Sequence, residues 1–242
     1  VTELFELASD EEDDKRTQIL SKLKGEIEFK NVSFSYDQKN DVLKEVCFKI
    51  DPGEKAAFIG LNGSGKSTII KLILGLYKTA RGKITIDGHD INSIKLSSLR
   101  NKISVVSQNV FLFNDTIRNN ILYSNPDVRE EEVIEAAKKA GAYEFIMAQE
   151  KGLDTNIGEI EKKLSGGEKQ KISIARAIIK DSDVIIFDEA TSNLDKKSIN
   201  KIQTIIDQDF AAKTCIIVTH HLANSTKMDK IYMLDSGKVD LL

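Results

Sequence analysis

The run Gly60-Leu61-Asn62-Gly63-Ser64-Gly65-Lys66-Ser67-Thr68 holds the densest chemistry in this chain. Its spacing is that of a phosphate-binding loop, and it lies between a strand-like and a helix-like segment. Glycines let the backbone curl so that several N–H groups point at one phosphate chain, and the helix start adds partial positive charge. Lys66 is then suited to neutralise the outer phosphates, and Ser67 to offer its hydroxyl to Mg²⁺. Such a loop needs a second group for the metal, and Val184-Ile185-Ile186-Phe187-Asp188-Glu189 supplies an apolar strand ending in two carboxylates. Asp188 can reach Mg²⁺ directly or through water. Glu189 can polarise a water toward the terminal phosphate. Taken alone, that pair is as readily a solvated strand end.

Two further groups sit at comparable places. His220 and His221 follow the apolar stretch Thr214 to Thr219. At the C-terminal edge of a parallel sheet one imidazole can bond the terminal phosphate and orient the attacking water, and His220, first after the strand, is better placed than His221. Leu164-Ser165-Gly166-Gly167-Glu168 puts a hydroxyl and free N–H groups together at a helix start. It resembles an anion site, although locally it reads only as a helix cap.

The elements that must position these residues follow from periodicity. Glu26 to Ile50 alternates apolar and polar residues around a turn at Asp37-Gln38-Lys39-Asn40, which predicts a β-rich entry. Lys55 to Gly60 is a short buried strand, Ser67 to Leu76 a helix, and Lys83 to Asp87 and Ile103 to Ser107 two more strands. Between Asn109 and Leu164 the composition turns to helix formers, with Glu130-Glu131-Glu132 ahead of Val133, Ile134, Ala137 and Ala140, so an inserted helical lobe over about 109–180 is expected. Ser165 caps a helix running to Lys180, Ser198 to Ile206 forms another, and Lys230 to Leu241 is a hairpin around Asp235-Ser236-Gly237. Strands alternating with helices imply parallel βαβ units.

Composition narrows the function classes. With 242 residues, 40% apolar and 30% charged, the chain can build a core beneath a charged surface. Its 35 basic and 38 acidic residues leave a net charge of −3, so no overall positive field favours nucleic acid, and any polyanion is held locally. No window approaches the ~18 apolar residues of a membrane span. Residues 1–24 begin with Leu4-Phe5-Glu6-Leu7, pass through Asp10-Glu11-Glu12-Asp13-Asp14 and read as a solvated linker. Because the chain starts at Val1, it is expected to be part of a longer polypeptide. Cys47 and Cys215 show no metal or redox spacing and are expected to be reduced, structural thiols.

Together these motifs resemble the nucleotide-binding domain of an ABC transporter, over residues 25–242. The resemblance implies an α/β fold: a P-loop NTPase core with a mainly parallel sheet, an antiparallel β subdomain and an inserted helical subdomain. It implies ATP and Mg²⁺ as cofactors. The phosphate loop, with Gly60, Asn62, Gly63, Ser64, Gly65, Lys66, Ser67 and Thr68, would bind ATP, and Tyr36 stands where the family stacks an aromatic on adenine. Gln108 matches the residue that touches Mg²⁺ and the water, so the metal set is Ser67, Gln108 and Asp188. Glu189, His220 and Gln108 would be catalytic. Ser165, Gly166 and Gly167 match the family signature, which caps the ATP of the other subunit, with Glu168 where Gln is usual. Asp195 matches the family's aspartate-bearing loop, in which Asn193 replaces a common Ala. Thr155-Asn156-Ile157-Gly158-Glu159 resembles an exporter loop, although Ile160-Glu161 replaces its usual basic residue and glycine.

The function implied is ATP hydrolysis that powers export, in a head-to-tail dimer of two such domains, expected to be a homodimer. The linker at 1–24 would lead from a transmembrane domain of the same polypeptide, placing this part at the cytoplasmic face of the membrane, with no nucleic-acid partner. Phe111-Leu112-Phe113-Asn114-Asp115-Thr116-Ile117 also resembles exporter modules. The alternative is a soluble, non-transport ABC ATPase, for which a tandem cassette or coiled-coil arms would be expected. A phosphate-loop kinase would not require the Ser-Gly-Gly signature.

Overall fold

A computed structural model of the chain describes residues 16–190, 196–219 and 228–242. Among these, ten strands form two sheets. The first is antiparallel, with β1 (Ile27–Phe34), β2 (Leu43–Ile50), β4 (Arg81–Ile86) and the two-residue β5 (His89–Asp90) in the order β2-β1-β4-β5. The second contains β3 (Lys55–Ile59), β6 (Ile103–Ser107), β7 (Val184–Asp188), β8 (Thr214–Thr219), β9 (Lys230–Asp235) and β10 (Lys238–Leu241). Its order is β10-β9-β3-β8-β7-β6, parallel except for the terminal hairpin.

The residue patterns explain this division. β2 alternates in burial because one face meets the core, and Phe48 stacks on its cross-strand partner Phe29 at 4.3 Å between centroids. β3 and β8 are buried at every residue, as strands covered on both faces must be. Strand geometry then splits the apolar residues between two cores. Ile186 and Ile216 face the antiparallel sheet, beside Phe29, Phe58 and Leu72. Ile185, Phe187, Cys215 and Ile217 face the helices, beside Ile117, Val133 and Ile172. Each of these large side chains, fully buried, contributes roughly 1.5–3 kcal/mol, so neither sheet face can be left bare.

Helix α1 (Lys66–Ile73) follows β3, and a short helix α2 (Leu96–Asn101) precedes β6. The lobe between β6 and β7 comprises α3 (Ile117–Leu122), α4 (Glu130–Ala140), α5 (Tyr143–Met147), α6 (Ile157–Ile160) and α7 (Gly166–Lys180), while α8 (Lys196–Gln208) joins β7 to β8. The Asn120 side chain, 1% exposed, accepts from the Phe113 amide at 2.8 Å and donates to its carbonyl at 3.0 Å. The Arg176 guanidinium donates to the Asn120 and Phe111 carbonyls at 2.8 and 3.2 Å. These bonds fasten the segment after β6 to α7. At the other end of the chain, Ser236 and Gly237 both have positive φ, as a two-residue hairpin turn requires.

Three features differ from the sequence reading. The N-terminal segment is packed over its described part: Leu20 and Leu23 are buried, and Gln18 exchanges backbone hydrogen bonds with Ser93 and Lys95. The Asp87 carboxylate accepts the amides of Lys24, Gly25 and Glu26, clasping this segment to the end of β4. Residues 16–24 are therefore packed on the folded body rather than solvated as a linker would be, because this segment has its own apolar contacts. Helix α2 and strand β5 are too short to show a period, and sequence reading passed over both. Cys47 is exposed on the outer face of β2, whereas Cys215 is buried and its thiol is pushed up to about 12 by desolvation.

Candidate functional site

Parallel register brings the predicted residues to one sheet edge. Ile59 pairs with Thr219, Val218 with Asp188, and Asp188 with Ser107. Gln108 after β6 and Glu189 after β7 therefore emerge level with each other, and Gly60 after β3 emerges one residue farther along the same edge. His220 follows Thr219, but His220 and His221 lie outside the described residues, as do Asn193 and Asp195.

The loop after β3 is shaped by glycine at two positions where a side chain could not fit. A Cβ on Gly60 would lie 2.3 Å from the Leu234 carbonyl, so β9 approaches the loop too closely for any other residue. Gly65 has φ +114°, and a Cβ there would meet Leu43 at 2.7 Å. Helix α1 starts directly after it. Asn62, Gly63 and Ser67 remain exposed, whereas Ser64, Lys66 and Thr68 are buried. Among the described residues the buried Ser64 hydroxyl has no hydrogen-bond partner, an orphan that a phosphate oxygen would satisfy.

Lys66 folds back across the loop, and its ammonium donates to the carbonyls of Gly60 at 2.7 Å and Leu61 at 2.9 Å. Burial depresses its pKa, while the charges of Glu189 and Asp188 oppose that shift. For Asp188, burial and then the neighbouring Glu189 push the carboxyl above its usual range, against the pull of Lys66 and Lys71. Lys66 thus feels both carboxylates, and Asp188 feels Glu189 and both lysines. Glu189 has φ +50°, a conformation costly for a non-glycine residue and of the kind that clusters at functional sites. Its amide donates to the Val218 carbonyl, which holds this strained turn to β8.

Tyr36, 47% exposed, lies beside α1. Its hydroxyl and that of Thr68 are 3.1 Å apart, and its ring meets Phe34 and Tyr77 edge-on at 4.8 and 5.2 Å. The Lys71 ammonium lies 5.3 Å from the ring centroid. Lys71 and Tyr77 were missed in the sequence, since neither belongs to a motif and both gain meaning only from the folding of Tyr36 against α1.

Ser165, Gly166 and Gly167 are placed in the helical lobe at the start of α7. The Ser165 hydroxyl donates to the Glu168 carboxylate at 2.7 Å and accepts from the Glu168 amide at 3.2 Å, while the Ser165 amide donates to the same carboxylate at 2.8 Å. This reciprocal cap fixes the serine rotamer. A Cβ on Gly166 would meet nothing within 4 Å, so that face of the helix start is open. Gln108 is exposed just beyond β6.

The arrangement suits a polyphosphate with a divalent cation: a cradle of amides, one ammonium, an exposed hydroxyl at Ser67 and adjoining carboxylates. Among the described residues, no group of three or more His, Cys, Asp or Glu side chains could hold a metal alone. Magnesium here would therefore share Asp188 and Ser67 with phosphate oxygens, which fits its preference for few protein ligands.

A family model described as "ABC transporter" matches residues 43–192. The ATP-dependent lipid A-core flippase of Syntrophus aciditrophicus (strain SB) is 41% identical over 239 residues, covering 99% of this chain and 40% of the flippase. The ABC transporter B family member 14 of Arabidopsis thaliana is 42% identical over 229 residues, 94% of this chain and 18% of that protein. Among solved structures, a bacterial Atm1-family ABC exporter with ATP bound matches at a TM-score of 0.87 and 36% identity, over 94% of this chain and 40% of the exporter. The chain spans two fifths or less of the length of these relatives.

Proposed function

Since the chain belongs to the ABC transporter family, and its fold is that family's P-loop NTPase core with antiparallel β and helical subdomains, we propose that it hydrolyses ATP with Mg²⁺ to power export. The observation that carries this reading is the register that sets Gly60, Gln108 and Glu189 at one sheet edge, beside Lys66 and Asp188. A family match implies ATP binding; the paired carboxylates and the strained Glu189 turn support hydrolysis.

In this reading Tyr36 stacks on adenine, and Gly60 through Thr68 wrap the phosphates. Lys66 exchanges its two carbonyl bonds for phosphate oxygens. Glu189 accepts the proton of the attacking water, and Gln108 and His220 orient that water. Magnesium, when bound by Asp188 and Ser67, with Gln108 nearby, would neutralise charge on the phosphates. The signature Ser165, Gly166 and Gly167 caps the nucleotide of a second copy, and Asp195 lines the same junction. Two copies of this chain, head to tail, then hold two complete sites.

Among the described residues no helix is long and apolar enough to cross a membrane. A transmembrane domain in the same polypeptide is proposed from the relatives, which are named as a flippase and an exporter and extend well beyond the matched span. That would set this domain at the cytoplasmic face of a membrane. The same relatives favour export over a soluble ATPase of the family. Rising specific ATPase activity with protein concentration tests the dimer. A rate independent of concentration, with a monomer sedimenting in ATP, would refute it.

A further inference from the structure

A second cationic pocket lies away from the phosphate loop, between β6 and α7. It is a cavity of about 110 Å³ lined by Ser104, Ser124, Ser173, Arg176 and Lys180 with Val105 and Ala177. Ser173, Arg176 and Lys180 are spaced three and four residues apart on α7, so they share one helix face. Ser104 and Ser173 are buried at 3% and 6% exposure, while Ser124 is exposed at the mouth.

The charge balance of this pocket is unusual. Arg176 spends three of its five N–H donors, on the Asn120 and Phe111 carbonyls and the Asn120 amide oxygen. Lys180 spends two of three, on the Arg100 and Ile103 carbonyls. Among the described residues no carboxylate charge acts on either: burial depresses Lys180, and burial likewise depresses Arg176, against the pull of Tyr123. Two largely buried cations without an anion are costly, because such charges are ordinarily paired. At roughly 30 Å³ per water, the cavity has room for a few waters or one tetrahedral anion.

We propose that this pocket binds a small tetrahedral oxyanion, with inorganic phosphate or sulfate bridging Arg176 and Lys180 and accepting from the Ser173 hydroxyl. The bound anion would tie β6 to α7, and through Arg176 to the Phe111–Phe113 segment that follows Gln108. The site is separate from the nucleotide chemistry proposed above and stands whether or not that reading holds.

Selenate soaked into crystals of the chain with Mg-ADP in the phosphate loop tests the placement. An anomalous peak between Arg176 and Lys180 is expected, and selenate found only elsewhere overturns the proposal. In solution, sulfate added in the presence of excess Mg-ADP should shift the Arg176 Nε–H resonance saturably. Lys180→Met should weaken that response at least tenfold. Ser173→Val, which leaves the cations in place, should weaken it several-fold if the methionine variant does not fold. An unsaturable drift, or the same titration in the folded variants, would mean an adventitious ion only and overturns the site.

Discussion

The Glu189 amide donates to the Val218 carbonyl at 3.0 Å, extending the pairing of β7 with β8 one residue past Asp188. That bond fixes the Glu189 backbone at positive φ while its carboxylate remains within electrostatic reach of Lys66. The position is held by backbone, so exchanging the carboxylate for an amide should preserve shape. Glu189→Gln is expected to lower ATP turnover by a hundredfold or more, in line with loss of a positioned base (~10²–10⁴-fold), while ATP affinity stays near the parent value. Turnover close to that of the parent, measured by phosphate release, would exclude Glu189 as the main base.

Asp188 yields a prediction in pH. Its folded pKa is raised by burial, so its ionised form opposes folding; this penalty is absent below the unfolded value of ~3.9 and complete above the folded one. Asp188→Asn should therefore raise the unfolding temperature of the nucleotide-free chain at pH 7. The gain should shrink as pH falls through the carboxylate range. A variant less stable than the parent at pH 7, by thermal denaturation, would show that attraction to Lys66 and Lys71 outweighs burial.

Tyr36→Ala should weaken nucleotide binding by about 1 kcal/mol, the scale of one aromatic stack. Tyr36→Phe loses the hydroxyl contacts with Thr68 and Lys71 but keeps the ring, and should be mild. Calorimetric titration in which both variants bind ATP like the parent would return Tyr36 to its packing against Phe34 and Tyr77.

The reciprocal cap at Ser165 and Glu168 predicts a stability effect distinct from catalysis. Glu168→Ala should cost about 1 kcal/mol in urea unfolding through loss of the capping partner. Glu168→Gln keeps an acceptor for the Ser165 amide and should cost less. Equal losses for the two would show that charge at the helix start, rather than the hydrogen bonds, carries the effect.

Mixing variants tests the two-chain site. Lys66→Ala and Ser165→Arg each damage both sites of a homodimer, so each should be inactive alone. In a heterodimer one site carries both defects and the other joins native Lys66 to native Ser165, so hydrolysis should partly return. With heterodimers confirmed by cross-linking in ATP, activity no higher than that of the separate variants counts against independent two-chain sites.

The motifs themselves were legible in the sequence because each is contiguous. Gly60 to Thr68, Asp188-Glu189 and Ser165 to Glu168 carry their spacing within one turn or loop. The strands β3, β7 and β8 were equally plain, since burial on both faces leaves unbroken apolar runs. Register was not legible, and it alone brings Gly60, Gln108 and Glu189 to one sheet edge, through pairs as far apart as Ile59 and Thr219. The packing of Leu20 and Leu23, the ring of Lys71 and Tyr77 around Tyr36, and the Arg176–Lys180 pocket also waited for the fold. Each joins residues from separate elements, and their proximity follows from how the two cores close on opposite faces of one parallel sheet. Local spacing determines which groups can do chemistry; burial and register determine which of them meet and how their charges are felt.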